Sequence, residues 1–178
     1  MGNKYLFTSE RLGFRNWKDA DIPKMISISG DKDVMEFFPA PATPIQTEEF
    51  IGRMQTMFSE KGYCYFAVER LEDAAFIGFI GLMYQTYDVP FSPYTDIGWR
   101  LGKEFWNKGY ATEGASRCLK YAFEDLDLSN IKATAPLVNV KSIRVMEKIG
   151  MKKQLEFKHP RLVGNTKLET CTCYQIER

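Results

Sequence analysis

The N-terminal third of the chain shows apolar patterns typical of one strand and two helices. Alternating apolar residues predict a strand over residues 8–15. Pro23, followed by apolar residues at helical spacing, predicts a first helix, and Thr47 is expected to cap a second helix that ends at Gly62. Residues 34–44, which contain three prolines, are expected to form an ordered loop between the two helices.

The rest of the chain predicts a sheet with two more helices. Strands are expected over residues 63–70, 76–87, 94–101, 130–137, 151–157 and 168–176. An apolar stripe that begins at Ala111 predicts a helix packed on that sheet, and Asn139 and Gly150 delimit a shorter one. We therefore expect an α/β (α+β) fold in one domain, residues 1–178. Its mixed, mostly antiparallel central sheet would have about seven strands, flanked by about four helices.

Charge and cysteine content narrow the functional classes. The net charge is +1 and basic residues are interleaved with acidic ones, which argues against a dedicated nucleic-acid-binding protein. The four cysteines form no Cys-x-x-Cys pair and the chain has one histidine, so we expect no metal site. No apolar segment reaches the length of a membrane span and no apolar leader is present, so we expect a cytoplasmic protein without membrane contact, as a monomer or a homodimer.

The segment 101–113 joins a predicted strand to a predicted helix and has features of an anion-binding loop. The first turn of a helix carries unpaired N–H groups and partial positive charge. Gly109 permits positive φ and close approach of a ligand, and Lys103 and Lys108 add positive charge. A purely structural turn needs the same residues. The segment is neither a Walker loop nor a dinucleotide-binding fingerprint, because the other residues of those motifs are absent.

Two motifs in this region resemble those of the GNAT N-acetyltransferases. Residues 96–101 and 106–113 resemble motif A, specifically that of the branch with the ribosomal-protein-alanine acetyltransferases, Trp-Gly-x-Gly-Tyr-Ala-Thr-Glu. Asn107 stands where that branch has glycine. A second set of residues resembles motif B: Asn139, Ser142, Val145, Glu147, Lys148, Gly150 and Met151.

The resemblance implies transfer of an acetyl group from acetyl-CoA to a primary amine, on a small molecule or at a protein N-terminus. It implies that N–H groups from Asn107 to Thr112 bind the pyrophosphate: Asn107, Lys108, Gly109, Tyr110, Ala111 and Thr112. The backbone of Trp99, Arg100 and Leu101 would pair with the pantetheine arm, an N–H near Leu101 would face the thioester carbonyl, and Asn139 and Ser142 would line the opposite wall.

Catalytic groups are harder to assign from sequence. A base must take a proton from the ammonium form of the acceptor, and Asp96 is the first candidate, with Glu69 or water as alternatives. His159 precedes a proline in a loop, which suits acceptor contact better than catalysis. Many relatives have a general-acid tyrosine where this chain has Met146, so Ser142, or a water that it holds, would replace it.

The acceptor pocket is expected to use Phe37, Phe38, Tyr84 and His159. Two other functions stay open. One is a CoA-binding module of the same fold without efficient turnover, because the tyrosine is missing. The other is a phosphate-loop enzyme of another kind, which the absent Walker and dinucleotide patterns disfavour.

Overall fold

The computed structural model describes residues 4–178, so the first three residues of the predicted domain lie outside it. Within that range the strands are Phe7–Thr8 (β1), Leu12–Arg15 (β2), Tyr65–Arg70 (β3), Phe76–Gln85 (β4), Tyr94–Leu101 (β5), Asn130–Pro136 (β6), Lys152–Lys158 (β7) and Thr170–Glu177 (β8). The α-helices are Ile22–Gly30 (α1), Pro44–Lys61 (α2), Tyr110–Glu124 (α3) and Val140–Lys148 (α4).

All eight strands form one sheet in the order β1-β2-β3-β4-β5-β6-β8-β7. Each neighbouring pair is antiparallel except β5 and β6, which are parallel. The predicted fold, a mixed and mostly antiparallel sheet with four helices, is confirmed. The sheet has eight strands in place of about seven.

The extra strand arises near the N-terminus, where the prediction of one continuous strand over residues 8–15 is wrong. The chain turns between β1 and β2, with the Ser9 N–H donating to the Leu12 carbonyl. The Ser9 hydroxyl and the Arg11 N–H both donate to the Glu113 carboxylate of α3, at 2.6 and 2.8 Å. These contacts bind the turn to α3 and keep its residues out of the sheet, so β1 and β2 are separate strands that pair with each other.

The start of α2 also differs from the prediction. Thr43 caps the helix: its hydroxyl accepts from the Gln46 N–H at 3.2 Å, while the Gln46 side chain accepts from the Thr43 N–H at 2.9 Å. Pro44 occupies the first helical position. Thr47, predicted as the cap, is buried one turn later and donates to the Thr43 carbonyl. The predicted stop at Gly62 is confirmed, with φ of 75°.

Helices α2 and α3 cover opposite faces of the sheet. Successive residues of a strand point to opposite faces. In β4 the Phe79 ring lies 5.2 Å from the Phe50 ring of α2. The next residue, Ile80, lies so close to Gly114 of α3 that a Cβ there would be 2.3 Å from its side chain. The core therefore has two layers, one on each face of the sheet.

The two parallel strands diverge soon after they meet. They share one register pair within residues 4–178, Asp96↔Lys132, after which β6 continues along β8. We call the opening between residues 97–101 of β5 and residues 133–136 of β6 the β5–β6 gap. Helices α3 and α4 follow these two strands, so both helices begin at the same end of the gap.

Candidate active site at the gap between two parallel strands

The N-terminus of α3 is shaped to present free N–H groups. Asn107 and Gly109 both have positive φ, 59° and 82°, and the helix begins at Tyr110. In the part of the chain that the structure describes, no side chain caps this helix. Asparagine tolerates this backbone conformation better than most residues, so Asn107 is compatible with the loop at the position where the motif that it resembles has glycine. The unpaired N–H groups of the first turn are therefore left for an anion.

A second set of contacts fixes this loop from behind. Arg11 donates from Nε to the Glu113 carboxylate at 2.7 Å and from Nη1 to the Lys108 carbonyl at 3.1 Å. Its guanidinium also lies 4.6 Å from the Tyr110 ring centre. Sequence reasoning missed Arg11, and the motif residue Glu113 was the available signal. Both residues position the loop.

Register shows which backbone groups of β5 face the gap. The Gly102 N–H donates to the Ile77 carbonyl, so alternate residues of β5 direct their backbone groups to β4. Arg100 is one of these, so its backbone groups point away from the gap, where the pantetheine arm is expected. Trp99 and Leu101 direct their N–H groups toward the gap. The Leu101 carbonyl accepts from the Trp106 indole at 2.9 Å, which leaves its N–H as the expected thioester-facing donor.

The opposite wall begins at the N-terminus of α4. The Asn139 side chain accepts from the Ser142 N–H at 3.1 Å, which confirms its predicted capping role. Lys141 lies 4.9 Å from the Trp106 ring, so this helix start approaches the loop of α3 across the mouth of the gap. Met146 is 2% exposed and packs in the core, so its side chain neither enters solvent nor offers a proton.

Asp96 lies at the closed end of the gap and is buried. Its carboxylate accepts from the Tyr65 hydroxyl at 2.6 Å and from the Gln85 amide at 3.1 Å. Burial raises the pKa of Asp96 to about 7, although the two hydrogen bonds oppose that change. Gly98 lets the Tyr65 ring lie across β5, because a Cβ there would be 3.0 Å from the ring. A carboxyl group with this pKa can accept and release a proton near neutral pH.

Glu69, the alternative base, lies elsewhere in the sheet. It pairs with Phe76 of β4, whereas Asp96 pairs with Met83, about 23 Å farther along that strand. Its carboxylate binds Lys4, Tyr5 and Arg15 at 2.5 to 2.8 Å. Burial alone would raise its pKa, but these donors outweigh burial and lower the pKa to about 2. Such a carboxylate is a weak base and serves to bind the arginine.

The residues expected at the acceptor pocket lie in different places, and Phe38 is the one that lines a cleft. Phe38 lies 4.5 Å from the Arg100 guanidinium and lines a cleft of about 460 Å³. Phe37 packs with Phe157 against a small apolar cluster, and His159 lies 6.0 Å from the Phe157 ring.

The fourth residue, Tyr84, lies in another place. It follows Met83 and precedes Gln85 on β4, so it points away from the face on which Gln85 binds Asp96. Its ring lies instead 4.3 Å from the Lys61 ammonium at the end of α2.

Burial and the nearby Arg161 charge lower the pKa of His159, and its Nδ1 accepts from the Arg161 N–H, so His159 is held in its neutral form.

The described residues hold neither a group of side chains suited to a metal ion nor a helix suited to a membrane. Across residues 4–178, no three His, Cys, Asp or Glu side chains are arranged to hold a metal ion. None of the helices in that range has the length and apolar composition to cross a membrane.

Comparisons with known proteins point to one family. The family described as "Acetyltransferase (GNAT) domain" matches residues 11–152. The Bacillus subtilis protein YnaD, named an uncharacterized N-acetyltransferase, is 32% identical over 153 residues, which are 85% of each chain. A GNAT-family acetyltransferase from Bacillus anthracis superposes with a TM-score of 0.80, at 30% identity over 96% of each chain.

Two further solved structures share the fold at lower identity. A ribosomal-protein-S5-alanine acetyltransferase from Vibrio fischeri has a TM-score of 0.76 at 20% identity, over 96% of this chain and 95% of that one. A spermidine N-acetyltransferase from Vibrio cholerae, in complex with CoA and spermine, has a TM-score of 0.75 at 19% identity, over 94% and 95%.

Proposed function

The chain belongs to the GNAT acetyltransferases, and from that premise we propose that it transfers the acetyl group of acetyl-CoA to a primary amine. The observation that carries this proposal is the position of Asp96, a buried carboxyl group with a pKa of about 7, where the β5–β6 gap closes. A base placed there would meet an amine that enters from the face covered by α1 and α2.

We assign the donor to the gap itself. The loop residues Asn107 to Thr112 offer N–H groups at the uncapped start of α3, which suit a pyrophosphate. Backbone groups of Trp99 and Leu101 face the gap, as a strand-like pantetheine arm requires. Asn139 and Ser142 lie at the start of α4, on the other side of the gap. Acetyl-CoA supplies the activated acyl group, and this chain holds and orients it.

Asp96 takes the proton in the proposed reaction. The acceptor arrives as an ammonium ion and transfers a proton to the Asp96 carboxylate. Its nitrogen then forms the bond to the acetyl carbon as the carbon–sulfur bond breaks, and the second proton that the nitrogen loses passes to the thiolate, directly or through water. Tyr65 and Gln85 hold the carboxylate toward this position. The buried Met146 cannot protonate the departing thiolate, so Ser142 or a water takes that role, or the thiolate leaves unassisted.

The experiment measures acetyl-CoA binding by calorimetry and then free thiol release with a panel of amines and N-terminal peptides. We expect binding and acceptor-dependent thiol release. Binding without release from any acceptor would support the alternative, a CoA-binding module of the same fold, which the loss of the tyrosine at Met146 motivates. Absence of binding would contradict both functions.

The donor site is tested by Gly109→Val. A β-branched residue is strained at φ of 82°, and its Cβ would lie 3.4 Å from Arg11 Nη2, so the substitution disturbs the loop and the residue that holds it. We expect acetyl-CoA affinity to fall roughly 100-fold, about 3 kcal/mol. Gly62→Val is the matched control, because Gly62 has φ of 75° at the end of α2, away from the gap. Equal affinity in the two variants would remove the basis of the donor assignment.

A further inference from the structure

Arg100 is a half-buried cation on the same face of β5 as Asp96. Its guanidinium lies 4.5 Å from the Phe38 ring and 5.3 Å from the Phe79 ring, and Nη1 donates to the Ser29 hydroxyl at 3.1 Å. Its Nε is buried without a hydrogen-bond acceptor in residues 4–178. Burial lowers the pKa of Arg100 to about 10, which reflects the cost of keeping this charge away from water.

The buried arginine Arg15 shows what Arg100 lacks. Arg15 donates to the Asp21 carboxylate at 2.7 Å and to the Glu69 carboxylate at 2.7 to 2.8 Å. Arg100 forms no ion pair with any carboxylate of the described chain, residues 4–178. A buried charge is costly unless an opposite charge compensates it. The two rings and one hydroxyl around Arg100 carry no such charge.

Arg100 lines the cleft of about 460 Å³ that opens between the sheet and α2. The volume suits a small molecule. Arg53 of α2 adds a second positive charge to the lining, and Glu49 is its one carboxylate among the described residues. The cleft is therefore net positive, with its most deeply buried charge at Arg100.

We propose that the acceptor is a small aminocarboxylate, whose carboxylate binds Arg100 and whose amine lies toward Asp96. This inference rests on the acetyl transfer proposed above and specifies the acceptor. Asp96 and Arg100 are four residues apart on one face of β5, so their Cα atoms are separated by about 13 Å. A planar carboxylate would provide the acceptor that the buried Nε lacks, in the paired geometry that guanidinium groups favour.

The kinetic test compares 6-aminohexanoate with 6-aminohexanamide, which differ in charge but hardly in shape. We expect the wild-type enzyme to favour the carboxylate in kcat/KM by about 10-fold or more, the value of a charged hydrogen bond. Arg100→Met should abolish that preference while changing kcat/KM for the amide by less than about 3-fold, and Arg100→Lys should keep part of it.

A matched control is Arg117→Met, since Arg117 is also partly buried but lies on α3, on the opposite face of the sheet. This variant should keep the full preference. An equal loss with both acceptors in Arg100→Met would overturn the proposal, because it would mean that Arg100 only holds Ser29 and Phe38 in place. A wild-type enzyme without preference would overturn it too.

A binding test separates this proposal from the acetyl transfer on which it rests. The Nε–H resonance of Arg100, assigned from its absence in Arg100→Lys, is followed by NMR while glutarate is titrated without acetyl-CoA. We expect a saturable downfield shift as the carboxylate accepts this hydrogen bond. If the resonance shifts but no amine is acetylated, the proposed acetyl transfer is contradicted while the carboxylate-binding site at Arg100 is supported. An unmoved resonance overturns the anion site.

Discussion

Asp96 and Glu69 are carboxylates of almost equal burial, 7% and 6% exposed, yet their surroundings give them opposite properties. Glu69 is surrounded by cations and a phenol, which lower its pKa to about 2. Asp96 receives only neutral donors, so burial dominates and raises its pKa to about 7. At similar solvent exposure, cationic partners mark the structural carboxylate, whereas neutral partners leave burial in control at the one that can exchange protons.

The largest effect is expected from Asp96→Asn. The amide keeps the shape of the side chain and can still accept from Tyr65, so the fold should persist. It cannot take a proton, and kcat should fall about 100- to 1000-fold. Thiol release measures this loss, and calorimetry should show unchanged acetyl-CoA affinity. A rate that matches the wild type at every pH would assign proton removal to water.

A smaller effect, on stability rather than on rate, is expected from Glu69→Gln. Removal of this charge leaves the buried Arg15 with Asp21 alone, and the free energy of unfolding should fall by about 3 kcal/mol. Urea denaturation measures it, while kcat at low temperature should stay within a few-fold of wild type. Glu156→Gln, in an exposed pair with Lys153, is the control and should cost less than about 1 kcal/mol. A stable Glu69→Gln variant with little activity would reverse the two roles.

The smallest effect is expected from Tyr65→Phe, which removes one donor from Asp96 and keeps the ring over Gly98. The carboxylate form is active, so kcat should rise with pH through a midpoint of about 7 in the wild type and level off above it. Loss of a hydrogen bond to the carboxylate raises its pKa further, so the midpoint of kcat should move to higher pH. The pH dependence of kcat measures this, and a midpoint that moves to lower pH or stays in place contradicts it.

Elements with local signals were predicted well from sequence. The strand Tyr94–Leu101 has the predicted bounds, and Asn139 and Gly62 delimit helices as expected. The start of α2 was misplaced although its signal is also local, a threonine and a glutamine three residues apart around Pro44.

Features that depend on distant residues could not be found in the sequence. The break between β1 and β2 depends on Glu113, and the partners of Asp96 depend on the register of three strands. Successive residues of a strand direct their N–H and C=O groups to opposite sides, so Arg100 must differ from its two neighbours in this respect. Only the pairing of β5 with β4 shows which of them face the gap. Likewise, the sequence shows that the neighbouring residues Tyr84 and Gln85 point to opposite faces of the sheet. Only the packed helices show which of the two faces holds the acceptor.

The contact between Arg11 and Glu113 has a consequence for the order in which the protein folds. These residues are 102 positions apart, and the loop before α3 is held from behind only when both have reached their places. Contacts of such long sequence separation form late, because closing a long stretch of chain costs entropy first. Acetyl-CoA binding should therefore appear among the last events of folding, and the ligand can serve as a probe that distinguishes the finished protein from compact intermediates.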